Sequence, residues 1–71
     1  MEWVIVGYPR TRDVFVDGRR CGETNRLLIV REGTQAFHLG TPADYQPAKQ
    51  KVKVTKTTPS APMAIYFQPD V

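Results

Sequence analysis

The sequence predicts a small all-β domain, an antiparallel β-sandwich of six to seven short strands with no long helix. Three observations predict it. The apolar residues are weighted toward Val, Ile, Phe, Tyr and Trp, the side chains that suit a pleated, half-buried surface. Six Pro and five Gly in 71 residues place turn signals roughly every 8–12 residues, the spacing of small sandwiches and barrels. No window holds apolar residues at i, i+3, i+4 and i+7 for three turns, so no helix longer than one turn is expected.

The elements follow in order. Trp3-Val4-Ile5-Val6 is a first strand, ended by Gly7-Tyr8-Pro9, and Arg10-Thr11-Arg12 is a polar connection. Val14-Phe15-Val16 is a second strand. Asp17-Gly18 follows at once and predicts a tight hairpin, because a type I′ turn needs positive φ at both central residues. Arg19-Arg20-Cys21 is the return strand, and Gly22-Glu23-Thr24-Asn25 is another turn. Leu27-Leu28-Ile29-Val30 is a continuous apolar run, expected to be covered on both faces. After Glu32-Gly33, the segment Thr34 to Leu39 puts Phe37 and Leu39 on one face and Ala36 and His38 on the other. Gly40 to Asp44 is a loop. Lys51-Val52-Lys53-Val54-Thr55-Lys56 alternates, valines inward and lysines outward. Thr57 to Pro62 is a loop, and Ala64-Ile65-Tyr66-Phe67 is a last strand that Pro69 stops. The tail from Phe67 to Val71 either frays or pairs with a neighbour.

Residues 1–71 make a single domain. Such a chain buries only about 60% of its unfolded surface, which leaves little room for a deep substrate pocket. The single cysteine, Cys21, rules out an internal disulfide and leans toward a reducing compartment or toward a piece of a larger protein. Met1 to Gly7 has neither the basic region nor the apolar length of a signal peptide or membrane span, so the cytoplasm is the default expectation. Ten Lys and Arg against seven Asp and Glu give a net charge of +3, which permits attraction to polyanions.

An ordered set of residues then stands out: Pro9, Val14-Phe15-Val16-Asp17-Gly18, Gly22, Thr24, Leu28, Gly33, Phe37, Leu39, Tyr45, Pro47, Val52 and Val54. In this order Pro9–Val54 resembles the PEGA domain family, as a divergent relative. Of the family's naming signature only Pro9 is kept, with Thr11 and Arg12 at the usual Gly and Ala positions. Asn25 stands for the Pro after the Thr, and Asp44 for the Gly before the Tyr. The resemblance implies a small β-sandwich that serves as an extracytoplasmic or cell-surface accessory module. It implies no catalysis and names no ligand.

Few residues could carry chemistry. His38 and Cys21 make a formal Cys–His pair without a third, orienting group, so no catalytic residue is assigned. No metal ligand set and no cofactor is expected, since zinc wants three or four convergent ligands. The basic residues are the main surface feature. Lys49, Lys51 and Lys53 fall on one face by period-two alternation, with Lys56 a candidate to extend it, and Arg19 and Arg20 stand among the turn arginines. Together they would form a polyanion or partner surface. Tyr8, Tyr45 and Tyr66 are available to stack on bases, but each also suits a core edge. The simpler expectation for the lysines is a solvated face that discourages edge pairing. Trp3, alternating with Ile5, is expected in the core and would be an interface anchor if exposed.

Two functions follow. The first is a non-catalytic binding or structural accessory module. It would act through its sheet surface or an edge strand on a protein, a cell-surface component or a second copy. The alternative is a small basic barrel that binds nucleic acid or another polyanion through Lys49, Lys51, Lys53 and the loop arginines.

Overall fold

All seven strands read from the sequence form in the computed structural model, which describes residues 1–70. They are β1 (Glu2–Gly7), β2 (Asp13–Val16), β3 (Arg19–Glu23), β4 (Leu27–Val30), β5 (Gly33–His38), β7 (Gln50–Val54) and β8 (Met63–Tyr66). Two further strands, β6 (Tyr45–Gln46) and β9 (Gln68–Pro69), have two residues each. There is no helix among the described residues.

The strands make a three-stranded sheet in the order β4-β1-β8, a four-stranded sheet in the order β3-β2-β5-β7, and a β6-β9 ribbon. The Asp17-Gly18 hairpin forms as expected. Asp17 has φ 51° and Gly18 φ 83°, and Val16 faces Arg19 across the turn. Every ladder is antiparallel except one: β1 and β8 run parallel, Val4 opposite Met63 and Val6 opposite Ile65. A parallel pair needs a long crossover, and here the whole four-stranded sheet lies between the two strands in the chain.

The two sheets share one core. Val4, Val6, Leu28, Val30 and Ile65 come from the first sheet, and Val14, Phe37 and Val54 from the second. Burying side chains of this kind contributes about 1.5–3 kcal/mol each. Tyr45 and Phe67 close one end, edge to face at 5.5 Å, and the Tyr45 hydroxyl accepts the Leu39 N–H at 3.0 Å.

Three expectations are corrected. The Leu27–Val30 run is covered on one face only: Leu28 and Val30 are buried, whereas Leu27 is 46% and Ile29 54% exposed. Among the described residues no third layer packs on the outer side of the β4-β1-β8 sheet. Trp3 is not in the core, because Val4 and Val6 take the inward positions of β1 and leave Trp3 and Ile5 half-buried on the outer face. Pro69 does not stop the sheet structure. Gln68 and Pro69 pair with Gln46 and Tyr45, and the Asp70 N–H donates to Asp44 O at 2.9 Å. The tail thus pairs with a neighbour as far as Asp70, and Val71 lies outside the described residues.

Candidate interaction surfaces

The outer face of β4-β1-β8 is apolar. Register places Trp3 beside Ile29 and Ile5 between Leu27 and Ala64, and odd-numbered β1 residues point outward opposite the core valines. Tyr66 completes the face, 69% exposed. Its ring lies over Gly7: a Cβ built there would sit 2.6 Å from Tyr66 Cδ1. The N-terminal end of β1 is fixed from the neighbouring loop. The Trp3 N–H donates to Thr57 Oγ1 at 2.7 Å, while the Thr57 hydroxyl and N–H donate to Glu2 Oε1 at 2.6 and 2.8 Å. These two bonds, the hydroxyl's above all, hold the Glu2 carboxyl below its usual pKa. The margin is basic, since exposed Arg26 and Arg31 bracket β4. Arg26 pairs with Glu23 at 3.4 Å, and no carboxylate among the described residues pairs with Arg31.

Sequence reasoning placed Trp3 as a conditional anchor but missed Leu27, Ile29, Ile5 and Tyr66. The available signal was the all-apolar strand Leu27–Val30 bounded by Arg26 and Arg31, in a sequence with no helical segment to lie across its second face; among the described residues nothing covers that face.

The opposite face, on β3-β2-β5-β7, carries the lysines. Lys51 and Lys53 point outward from β7 beside Ala36 and Thr34, and none of the ion pairs among the described residues includes a lysine. Lys49 is exposed just before β7. Lys56 is not part of this face, because the strand ends at Val54 and Lys56 turns away with φ 57°. Arg20 is on the same face beyond Phe15, where its Nε donates to Asp13 Oδ1 at 2.9 Å, a surface pair like that of Arg26 with Glu23. Arg19, opposite Val16, is turned to the other side of the sheet. The five basic residues therefore do not form one surface.

The expected aromatics are also elsewhere. Tyr8 and Tyr45 are buried, each 6% exposed, and Tyr66 is on the opposite face from the lysines. The aromatic pair that does neighbour the lysines, Phe15 and His38, is stacked on itself with centroids 5.0 Å apart and planes 7° apart.

Arg19 and Arg31 line an open groove of about 540 Å³ between the β2–β3 turn and the β4–β5 connection, with Val16 and Gln35 beside them. The two carboxylates there are already engaged. Asp17 Oδ1 accepts the Ala36 N–H at 2.9 Å, and Glu32 Oε2 accepts the Thr55 hydroxyl at 3.0 Å. Arg12 is different again. It is a structural strut, 14% exposed and paired with Asp44, and belongs to no binding surface.

Cys21 and His38 are not brought together. The Cys21 thiol donates to Ile29 O at 3.7 Å, and burial pushes its pKa up, against the pull of Arg20. This is the opposite of an activated thiolate. His38 Nδ1 accepts the Gly40 N–H at 3.1 Å on the far face. Among the described residues no three His, Cys, Asp or Glu side chains converge to hold a metal, and no helix is long and apolar enough to cross a membrane.

Comparison with family models, with curated proteins and with solved structures returned no match to this chain.

Proposed function

We propose that this chain is a protein-binding module that docks a partner on the outer face of β4-β1-β8. One observation carries the reading: Leu27, Ile29 and Tyr66, 46%, 54% and 69% exposed, lie with Trp3 and Ile5 on one continuous sheet face. Exposed apolar side chains gathered on one face mark interaction sites, and Trp and Tyr are the residues that most often anchor interfaces. The partner's chemistry follows from the margin. Arg26 and Arg31 bracket the apolar centre, so the complementary surface is apolar with an acidic rim. The PEGA-like order of Pro9–Val54 points toward the same class, an accessory module attached to or working beside other proteins.

The polyanion reading rests on Lys49, Lys51 and Lys53 alone. It lacks base-stacking tyrosines on its face, and its arginines are paired or turned elsewhere.

The test uses affinity capture with three baits: the wild type, Leu27→Asp/Ile29→Asp, and Lys51→Glu/Lys53→Glu. Retained molecules are identified by mass spectrometry and nucleic-acid staining. The expected result is a protein kept by the wild-type and lysine-variant baits and lost from the Leu27/Ile29 variant. Retention that depends on Lys51 and Lys53, or a wild-type bait that keeps nothing the Leu27/Ile29 variant loses, overturns the proposal.

A further inference from the structure

The four outer strands of the two sheets are not equally protected. β3 and β4 lie against each other, as the Cys21–Ile29 contact shows. β7 presents Lys51 and Lys53, a common guard against edge pairing. β8 has neither protection. It pairs on one side only, with β1, and its residues Met63-Ala64-Ile65-Tyr66 contain no charge, no proline and no bulge.

Its backbone groups can be sorted by side. The Phe67 N–H donates to Gly7 O at 3.0 Å. In a parallel ladder alternate residues bond the same neighbour, so Met63, Ile65 and Phe67 bond β1 while Ala64 and Tyr66 present their N–H and C=O groups to the open side. The Gln50 side chain agrees with this assignment, since its Nε2 reaches across from β7 to donate to Tyr66 O at 2.5 Å. That leaves the Ala64 N–H, the Ala64 C=O and the Tyr66 N–H without a partner among the described residues. The side chains do not screen them either: Ala64 is small, and the Tyr66 ring leans back over Gly7.

The geometry points to β8 as a self-pairing edge whose partner is β8 of a second copy, antiparallel, with the two-fold axis at Ile65. This is the only register in which both exposed residues are used twice. Ala64 faces Tyr66 of the second copy and Tyr66 faces its Ala64, giving four backbone hydrogen bonds. The Ala64 N–H of each copy replaces the Gln50 amide on Tyr66 O. A two-fold interface must be self-complementary in this way. The product is a six-stranded sheet, β4-β1-β8 continued into β8-β1-β4. The pairing goes beyond partner docking and does not depend on it: docking uses side chains on the flat of the sheet, the Tyr66 ring among them, whereas the pairing uses the backbone of its edge.

Sedimentation equilibrium up to about 1 mM, with amide hydrogen exchange on the same samples, tests it. The expected dissociation constant is on the order of 10–100 µM, since so small an interface leaves little surplus after the cost of association. The amides of Ala64 and Tyr66 should gain protection with concentration, while those of Met63 and Ile65 stay as they are. Ala64→Lys/Tyr66→Lys sets like charges directly opposite and should weaken the dimer about tenfold or more, whereas Ala64→Lys/Tyr66→Glu sets opposite charges there and should keep it. Gln50→Ala frees Tyr66 O and should tighten it. A chain that stays monomeric throughout overturns the proposal. So does a dimer that Ile29→Asp dissolves while the two charge variants behave alike, which would mean face-to-face packing. Loss of partner capture without loss of the dimer would sink the docking function and leave the edge pairing standing.

Discussion

The guanidinium carbon of Arg12 lies 5.0 Å from the centre of the Tyr45 ring. The same group is 5.8 Å from the Tyr8 ring, pairs with Asp44, and donates to Pro42 O at 2.7 Å and Leu39 O at 3.3 Å. One side chain thus ties the connection before β2 to the loop before β6. Arg12→Ala should cost about 1.5–3 kcal/mol, the range for hydrogen bonds to a charged group. Arg12→Lys should recover little of it, because an ammonium lacks the planar fork that reaches Asp44 and two carbonyls together. Urea denaturation measures both. A loss under about 0.5 kcal/mol for Arg12→Ala would mean the loop holds without the strut.

Asn25 performs a second local closure. It adopts φ 63°, its side chain accepts the Tyr8 N–H at 3.2 Å and donates to Tyr8 O at 2.8 Å, and its N–H donates to Val6 O at 2.7 Å. Asn25→Ala should lose the side-chain clamp and also strain the backbone, at about 2 kcal/mol. Asn25→Gly loses the clamp but tolerates the φ, so it should cost less, about 1 kcal/mol. Thermal melts of the pair give the order. If the Gly variant proves the less stable, left-handed strain is not what Asn25 relieves.

Glu2 gives the molecule an acid-side dependence. The Thr57 hydroxyl and N–H lower its pKa in the folded state. A depressed carboxyl contributes stability that is present above its unfolded value and lost as pH falls through the folded one. Wild type and Glu2→Gln should therefore differ near neutral pH and converge on acidification, with the Trp3 end of β1 loosening first. Melting curves taken from about pH 6 down to about pH 3 check this, and a gap that stays constant over that range would remove Glu2 as the cause.

The features legible in the sequence were those with local causes. Asp17-Gly18 specifies its own turn, and Lys51-Val52-Lys53-Val54 specifies its own two faces. The seven main strands follow from the same kind of signal. What could not be read depended on distant partners. Whether Leu27 and Ile29 were buried depended on a covering layer, and none is present among the described residues. The setting of Tyr45 depended on Arg12 and Phe67, and that of Tyr66 on Gly7, each far from it in sequence. Arg12 and Arg20 carry the same side chain, and only their separate neighbours make one a strut and the other a surface pair. The apolar outer face was thus half legible, through Trp3, while the open edge at β8 required knowing that β8 pairs on one side alone.

The parallel pairing of β1 with β8 also sets the tempo of folding. The Asp17-Gly18 hairpin can close as soon as its two strands exist, and β5 and β7 are near neighbours in the chain. The β4-β1-β8 sheet must wait: Val4 meets Met63 only after nearly the whole chain is available, and the entropy of closing that loop must be met before its contacts give anything back. Until then one side of β1 stands bare, with Trp3 and Ile5 exposed beside it. A nascent or partly unfolded chain is adhesive at that strand edge, and the late arrival of residues 63–66 closes it, while the outer face that carries Trp3 and Ile5 stays open.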